Sequence, residues 1–392
     1  MSVLNNLKIL DLSTLLPGPF ATMMLADLGA DVLRVEAPGR SDLVRELAPF
    51  ADGTSTKHAM LNRSKKSIGL DLKKPQAIEI VKKLVQEYDI VVEQFRPGVL
   101  DRLGIGYEAL KAVNPKVIFC SITGYGQTGP YRDRGGHDNN YISISGVNGY
   151  SGREGQPTPL MGTQIADIAG GSMHAVIGLL AAVNHRHLTG EGQSIDISMT
   201  DATFTLNAMF GSDYLAAGVE PQLEKGWLNG GTFYDYYLTA DNRNLSVGSL
   251  EPHFFKRLCL TVGGEELLAL GSQQDTDSQK RFKQTLAEAI KQKTLQEWTD
   301  LFADKDACVE PVLTFAEACE NPQIQARDMI VDVPVPGGGA QKQIGTAIKF
   351  SAAEPTYQHI GSELGADNDC LQSLLDLSDS EISELKASGV FG

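Results

Sequence analysis

Short apolar runs separated by turn residues recur through the first two hundred positions. The runs at 7–12, 31–36, 67–72, 89–93 and 116–122 have the length and composition of strands, and 194–199 alternates like a strand. Between them the apolar spacing turns helical. Phe20–Leu28 repeats at helical intervals and stops at Gly29, Pro75–Tyr88 is amphipathic, and Tyr107–Val113 is a short helix. Strand, helix and strand following one another predict an open α/β sheet with mainly parallel strands.

Beyond residue 200 the pattern changes. Asp201–Ala217 reads as a helix, and Gly218–Gly231 is a connector rich in Gly, Pro and charge, which predicts a boundary near residue 225. Thr232–Leu238 and Asn244–Val247 are strand-like, Pro252–Leu260 and Ser278–Lys291 are helical, and Glu310–Leu313 with Phe315–Glu320 closes a second, smaller α+β domain. The expected division is a large domain at 1–200, a linker helix and connector at 201–230, a small domain at 231–325, and a segment at 326–392 returning to the large domain. A chain of 392 residues is long enough for two cores.

Composition narrows the function. A net charge of −15 argues against general nucleic-acid binding, though a local basic cluster still suits an anionic small molecule. The five cysteines are scattered, with no C-x-x-C pair suggesting zinc. Met1–Leu10 lacks a signal-like apolar run, and no stretch approaches the roughly 18 apolar residues of a membrane span. The expectation is a reduced, cytoplasmic protein without a metal centre.

Candidate chemistry concentrates between Gly136 and Ala182. His137 lies in a Gly/Asn-rich loop, off any apolar helical face, and Asp138 is placed to orient it or to cap the next segment. Asp167 precedes Gly170-Gly171-Ser172 and an apolar helical run. An acid there fits either a first-turn residue or a proton carrier, and the glycines would admit a ligand's carbonyl beside free amides. His174 is a secondary candidate, whereas His185 and His187 suit a helix C-terminus. Glu251-Pro252 opens a helix, and Glu251 would stabilise an imidazolium at His137. Gly124–Gly129 matches G-x-G-x-x-G, but Pro130 and a polar run follow it, so it reads as a ligand-side loop at a strand end and not as a nucleotide fingerprint. Arg34, Arg40, Arg63, Lys65, Lys66, Lys73, Arg96 and Arg102 are candidates to converge on a phosphate-bearing ligand.

These residues together resemble the class III CoA-transferase (CaiB/BaiF) and acyl-CoA racemase superfamily along essentially the whole chain. The resemblance is carried by Leu16-Pro17-Gly18-Pro19, Asp27–Val32 with Arg34-Val35-Glu36, Asn62-Arg63-Ser64-Lys65-Lys66, Phe95-Arg96-Pro97-Gly98, Gly124–Pro130, Asp167, and Thr189-Gly190-Glu191-Gly192-Gln193. Within it, Gly136–Tyr141 and Val247–Phe255 look like the two catalytic stretches of α-methylacyl-CoA racemases.

The resemblance implies a Rossmann-like large domain, a small domain and two chains interlocked as a homodimer. It implies 1,1-proton transfer at the α-carbon of a 2-methylacyl-CoA, with His137 and Glu251 serving one face and Asp167 the other, and with amides near Asp167 holding the enolate oxygen. CoA is part of the substrate and no separate cofactor is implied. Arg34, Lys73, Arg96, Arg102 and Tyr141 are the implied CoA-binding positions, while Ala37 stands where racemases often carry a basic residue. The alternative is a CoA transferase forming an aspartyl-CoA anhydride at Asp167. A third reading is a CoA-binding protein without activity.

Overall fold

The computed structural model describes residues 2–273 and 275–391. They group into two compact units. The first holds the chain up to Ser145, Met161–Thr205 and the chain from Gln323 onward, and the second holds Gly146–Leu160 and Leu206–Pro322.

The first unit is built on a six-stranded sheet. Its strands are β1 (Lys8–Asp11), β2 (Asp31–Glu36), β3 (Lys66–Gly69), β4 (Ile90–Glu93), β5 (Ile118–Thr123) and β6 (Ser194–Ser198), in the spatial order β3-β2-β1-β4-β5-β6. Every pairing is parallel. The order reverses direction at β1 and β4, so the loops after these strands lie at the switch point where open sheets bind ligands. Leu10, Leu33, Val91 and Phe119 of the sheet share a core with Ile80 and Leu84 of the helix Pro75–Leu84. Leu371 and Val390 join the same core, which returns the C-terminal segment to this unit. Burying a side chain of that size contributes roughly 1.5–3 kcal/mol. Gly69 N–H donates to Asn368 Oδ1 (2.8 Å) and Asp71 N–H to Val390 O (2.9 Å).

Helix α1 (Pro17–Asp27) follows β1, α2 (Asp138–Ile144) follows the loop after β5, and α4 (Met199–Thr205) follows β6. Between α2 and β6 lies a π-helical segment, Ala166–Met173, continuing without a break into α3 (His174–Thr189). This 24-residue stretch is long and apolar enough to cross a membrane, contrary to the expectation from sequence, but half of its most apolar window is buried. Its contacts with α1, β5, β6 and α4 are those of a core helix.

In the second unit, β7 (Asp235–Leu238), β8 (Asn244–Val247) and β9 (Val309–Pro311) form an antiparallel sheet in the order β9-β8-β7. Helices pack on it around Leu258, Phe282, Leu286 and Trp298, whose indole N–H donates to Ile290 O (2.7 Å).

The division between units differs from the expected boundary. The helix foreseen at Asp201–Ala217 is broken into α4 and Phe210–Ala217, and the units part between Thr205 and Leu206. Most of the supposed 201–230 connector therefore belongs to the second unit. Residues 146–160, expected in the large domain, belong there as well. Arg153 holds them with a two-pronged ion pair to Asp235 and a further bond to Glu224 (3.1 Å).

Candidate active site

His137 is the N-cap of α2. Its carbonyl oxygen accepts the Asn140 N–H at 2.8 Å, and Asn140 Oδ1 accepts the His137 N–H at 3.0 Å. Of the two roles foreseen for Asp138, the cap is taken by His137 itself. The ring stays exposed because the loop before it ends in Gly135-Gly136 at the surface.

The first turn of α2 then offers Asp138, whose Oδ1 accepts the Asp167 N–H at 3.0 Å. That bond brings His137, Asp138 and Asp167 into one cluster although 29 residues separate the two aspartates. Asp167 is half-buried and has no ion-pair partner among the described residues. Burial first, and the Asp138 carboxylate second, push its carboxyl up to about 6, with His137 acting in the opposite direction. A carboxyl titrating there exchanges protons near neutral pH.

The surroundings of Asp167 depart from the sequence reading. Gly170 and Gly171 do not open space for a ligand. A methyl at Gly170 would stand 3.1 Å from Met199 O and Thr203 Oγ1, and one at Gly171 would stand 3.0 Å from Pro17 Cβ. The glycines serve close packing of the π-helix on α1 and α4. The Asp167 N–H is taken by Asp138, and the Ile168 N–H donates to Gln164 O at 3.0 Å. Neither amide is free to hold an enolate oxygen. His174 Nδ1 donates to Ala169 O (2.7 Å), a bond within the helix.

The basic candidates separate into two sets. Arg34 is 1% exposed and paired with Asp42 beside Glu36. Arg63 forms a two-pronged pair with Asp27 (2.8 and 2.7 Å), Lys65 pairs with Asp11 (3.1 Å) and Lys66 with Asp31 (3.0 Å). Tyr141 is buried too. Its ring packs where any side chain at Gly124 or Gly136 would collide with it, and its hydroxyl donates to Gly136 O. It supports the His137 loop.

Lys73, Arg96 and Arg102 are exposed in or beside loops that follow strands. A methyl at Gly98 would lie 3.3 Å from Arg102 Nη1 and 3.9 Å from Arg132 Nη2, and one at Gly135 would lie 3.3 Å from Arg96 Nη2. Arg132, absent from the sequence candidates, therefore shares the loop cluster after β4 and β5. Its place in the loop behind the G-x-G-x-x-G run was the available signal. That run is a loop with Gly126 and Gly129 at φ 83°, and helix α2 starts only at Asp138, as its weak fingerprint context suggested.

Glu251 lies in the second unit. It is the N-cap of the helix Pro252–Val262, exposed and without a side-chain capping bond. The turn that carries it is fixed by the Gly248 N–H donating to Cys308 O (2.9 Å) and by Ser249 Oγ–H donating to Ala307 O.

A model of CoA-transferase family III matches residues 4–368. The human α-methylacyl-CoA racemase is 35% identical over 84% of this chain and 82% of its own length. The acetyl-CoA:oxalate CoA-transferase of Acetobacter aceti is 31% identical over 91% of the chain and 92% of its own. Among solved structures, a CaiB/BaiF family protein from Brucella suis superposes with a TM-score of 0.84 at 30% identity, covering 96% of this chain and all of that one.

Proposed function

Because the chain belongs to CoA-transferase family III, we propose that it inverts the α-carbon of a 2-methylacyl-CoA by proton transfer through an enolate. The observation that carries this reading is Asp167. It is a half-buried carboxyl without a counter-cation among the described residues, raised to about 6 and tied through Asp138 to a helix with an exposed histidine at its N-cap position.

In the forward sense the Asp167 carboxylate takes the α-proton, and the C–H electron pair moves into an enolate whose oxygen takes the charge. The His137 imidazolium then returns a proton to the opposite face. In the reverse sense His137 is the base and the Asp167 carboxylic acid is the donor. Abstraction by one ring nitrogen needs the ring proton on the other, and the role proposed for Glu251 is to stabilise the imidazolium that results. Arg96, Arg102, Arg132 and Lys73 would bind the CoA phosphates. Two copies are the expected working unit, which the exposed apolar residues Ile177 and Leu188 on α3 support.

The second reading is a CoA transferase with Asp167 as nucleophile, and relatives of that activity at 31% identity support it. One assay separates the two. A single acyl-CoA is incubated in deuterated buffer with and without an acceptor acid. Exchange and inversion without the acid are the expected result, and acid-dependent CoA transfer without exchange overturns the racemase reading.

A further inference from the structure

The π-helix that carries Asp167 is attached to the rest of the site through Ser172. This side chain is fully buried, and its hydroxyl donates to Pro17 O at 2.7 Å, with Asp167 O as a second acceptor 3.1 Å from the same oxygen. Contact with a carbonyl five residues back is available because a π-helical turn is wider than an α-helical one. Serine in a helix interior gains nothing from propensity, so its place there calls for a contact of this kind.

Pro17 belongs to the first turn of α1. In Pro17-Gly18-Pro19 only Gly18 has an N–H, and it donates to Gln94 Oε1 at 3.0 Å. Gly18 has no room for a side chain, since a methyl there would lie 2.2 Å from Ser13 Cβ and 2.9 Å from Gln94 Oε1. Gln94 in turn begins the loop after β4 that carries Arg96. A continuous link therefore runs from that loop through the first turn of α1 to the π-helix, all within the first unit. Gly171 brings the helices into backbone-level contact beside Pro17, and Ser172 adds a polar bond that fixes the register.

We propose that Ser172 is a positioning residue for proton transfer: its bond to Pro17 holds the π-helical register that aims the Asp167 carboxyl, and Gln94 anchors the far end of that link. The inference rests on the proton-transfer reading of Asp167. Without the hydroxyl, Pro17 O loses a buried donor and the turn is free to relax toward an α-helix. A slip of one residue rotates a helical side chain by about 100°.

The test compares Ser172→Ala, Ser172→Thr and Gln94→Ala with the parent, measuring α-deuteron wash-in separately from the two stereoisomers of a 2-methylacyl-CoA. Ser172→Ala is expected to slow wash-in from the stereoisomer whose proton faces Asp167 by about 10- to 100-fold, the scale of a misplaced catalytic group. The other stereoisomer, KM and Tm stay near the parent values. Ser172→Thr restores most of the loss, and Gln94→Ala shows a smaller loss of the same handedness. Equal losses for both stereoisomers together with a lowered Tm, or no loss, overturn the proposal. Should the parent wash in no deuterium from either stereoisomer, the proton-transfer reading itself fails. Titration of the Asp167 carboxyl by carbon-13 NMR then decides the positioning. Beside His137, Asp138 and Tyr141, its midpoint is expected to fall from about 6 in Ser172→Ala. An unmoved midpoint contradicts the proposal.

Discussion

Asp11 and Asp167 are both aspartates of the first unit, yet they are put to opposite uses. Asp11 is completely buried at the end of β1, where burial alone would raise its carboxyl. Lys65 and Arg34, with the Ser13 and Thr22 hydroxyls, outweigh that and hold it below the ordinary range. Asp167 is less buried but faces Asp138 instead of a cation, and its carboxyl rises to about 6. Burial thus does not by itself make a proton carrier. What distinguishes the two is whether the neighbours compensate the charge.

The largest effect expected from this contrast is on stability. Lys65→Met leaves Asp11 charged and buried without its principal partner, and breaking a buried pair costs about 3–5 kcal/mol. Chemical denaturation of the variant should show a loss of that size, and a loss below about 1 kcal/mol would remove the contrast. Because the Asp11 carboxyl is lowered on folding, its contribution is present above the unfolded value of 3.8 and is lost as pH falls through the folded value.

Asp167→Asn should do the reverse. Exchange from the stereoisomer whose proton faces Asp167 falls by about 10²- to 10⁴-fold, the usual worth of a general acid or base. Stability is held or slightly raised. A carboxyl raised on folding favours the folded state only at low pH. That advantage fades as pH climbs through the window from 3.8 to about 6, so at neutral pH the ionised group is a net cost that asparagine removes. A strongly lowered Tm would show that Asp167 is structural.

Asp138→Asn probes the cause of the raised value. Removing that negative charge should move the acidic limb of the exchange profile to lower pH, leaving burial as the main remaining cause. An unmoved limb would exclude Asp138 as a contributor.

The smallest effect concerns the exposed arginines. Arg102→Ala or Arg132→Ala should raise KM for acyl-CoA by about tenfold, increasingly so at low salt, with little change in kcat or Tm. Arg34→Ala, by contrast, should lower stability.

Much of this was legible in the sequence, for identifiable reasons. Five of the six strands announced themselves because strands buried on both faces are short continuous apolar runs, whereas β6, exposed at alternate positions on the sheet edge, announced itself by alternation. The same burial explains why Arg34 is paired inside the protein, which its sequence position did not reveal. A charged residue in such a strand has no solvent side, so it must find internal partners such as Asp42. Gly170 and Gly171 were read as room for a ligand, since sequence does not tell a glycine that admits a ligand from one that admits another helix. The Asp138–Asp167 bond joins residues 29 positions apart and the Ser172–Pro17 bond residues 155 apart, and no local pattern encodes either. The placement of residues 146–160 follows from the pairing of Arg153 with Asp235, 82 positions away.

The central claim is that His137 and Asp167 address opposite faces of one carbon. The most direct measurement is α-deuteron wash-in from each separate stereoisomer of a 2-methylacyl-CoA in His137→Ala and in Asp167→Asn. The account predicts a crossed result, in which each variant loses exchange from one stereoisomer and retains it from the other. Loss of both stereoisomers to the same degree in both variants would contradict it.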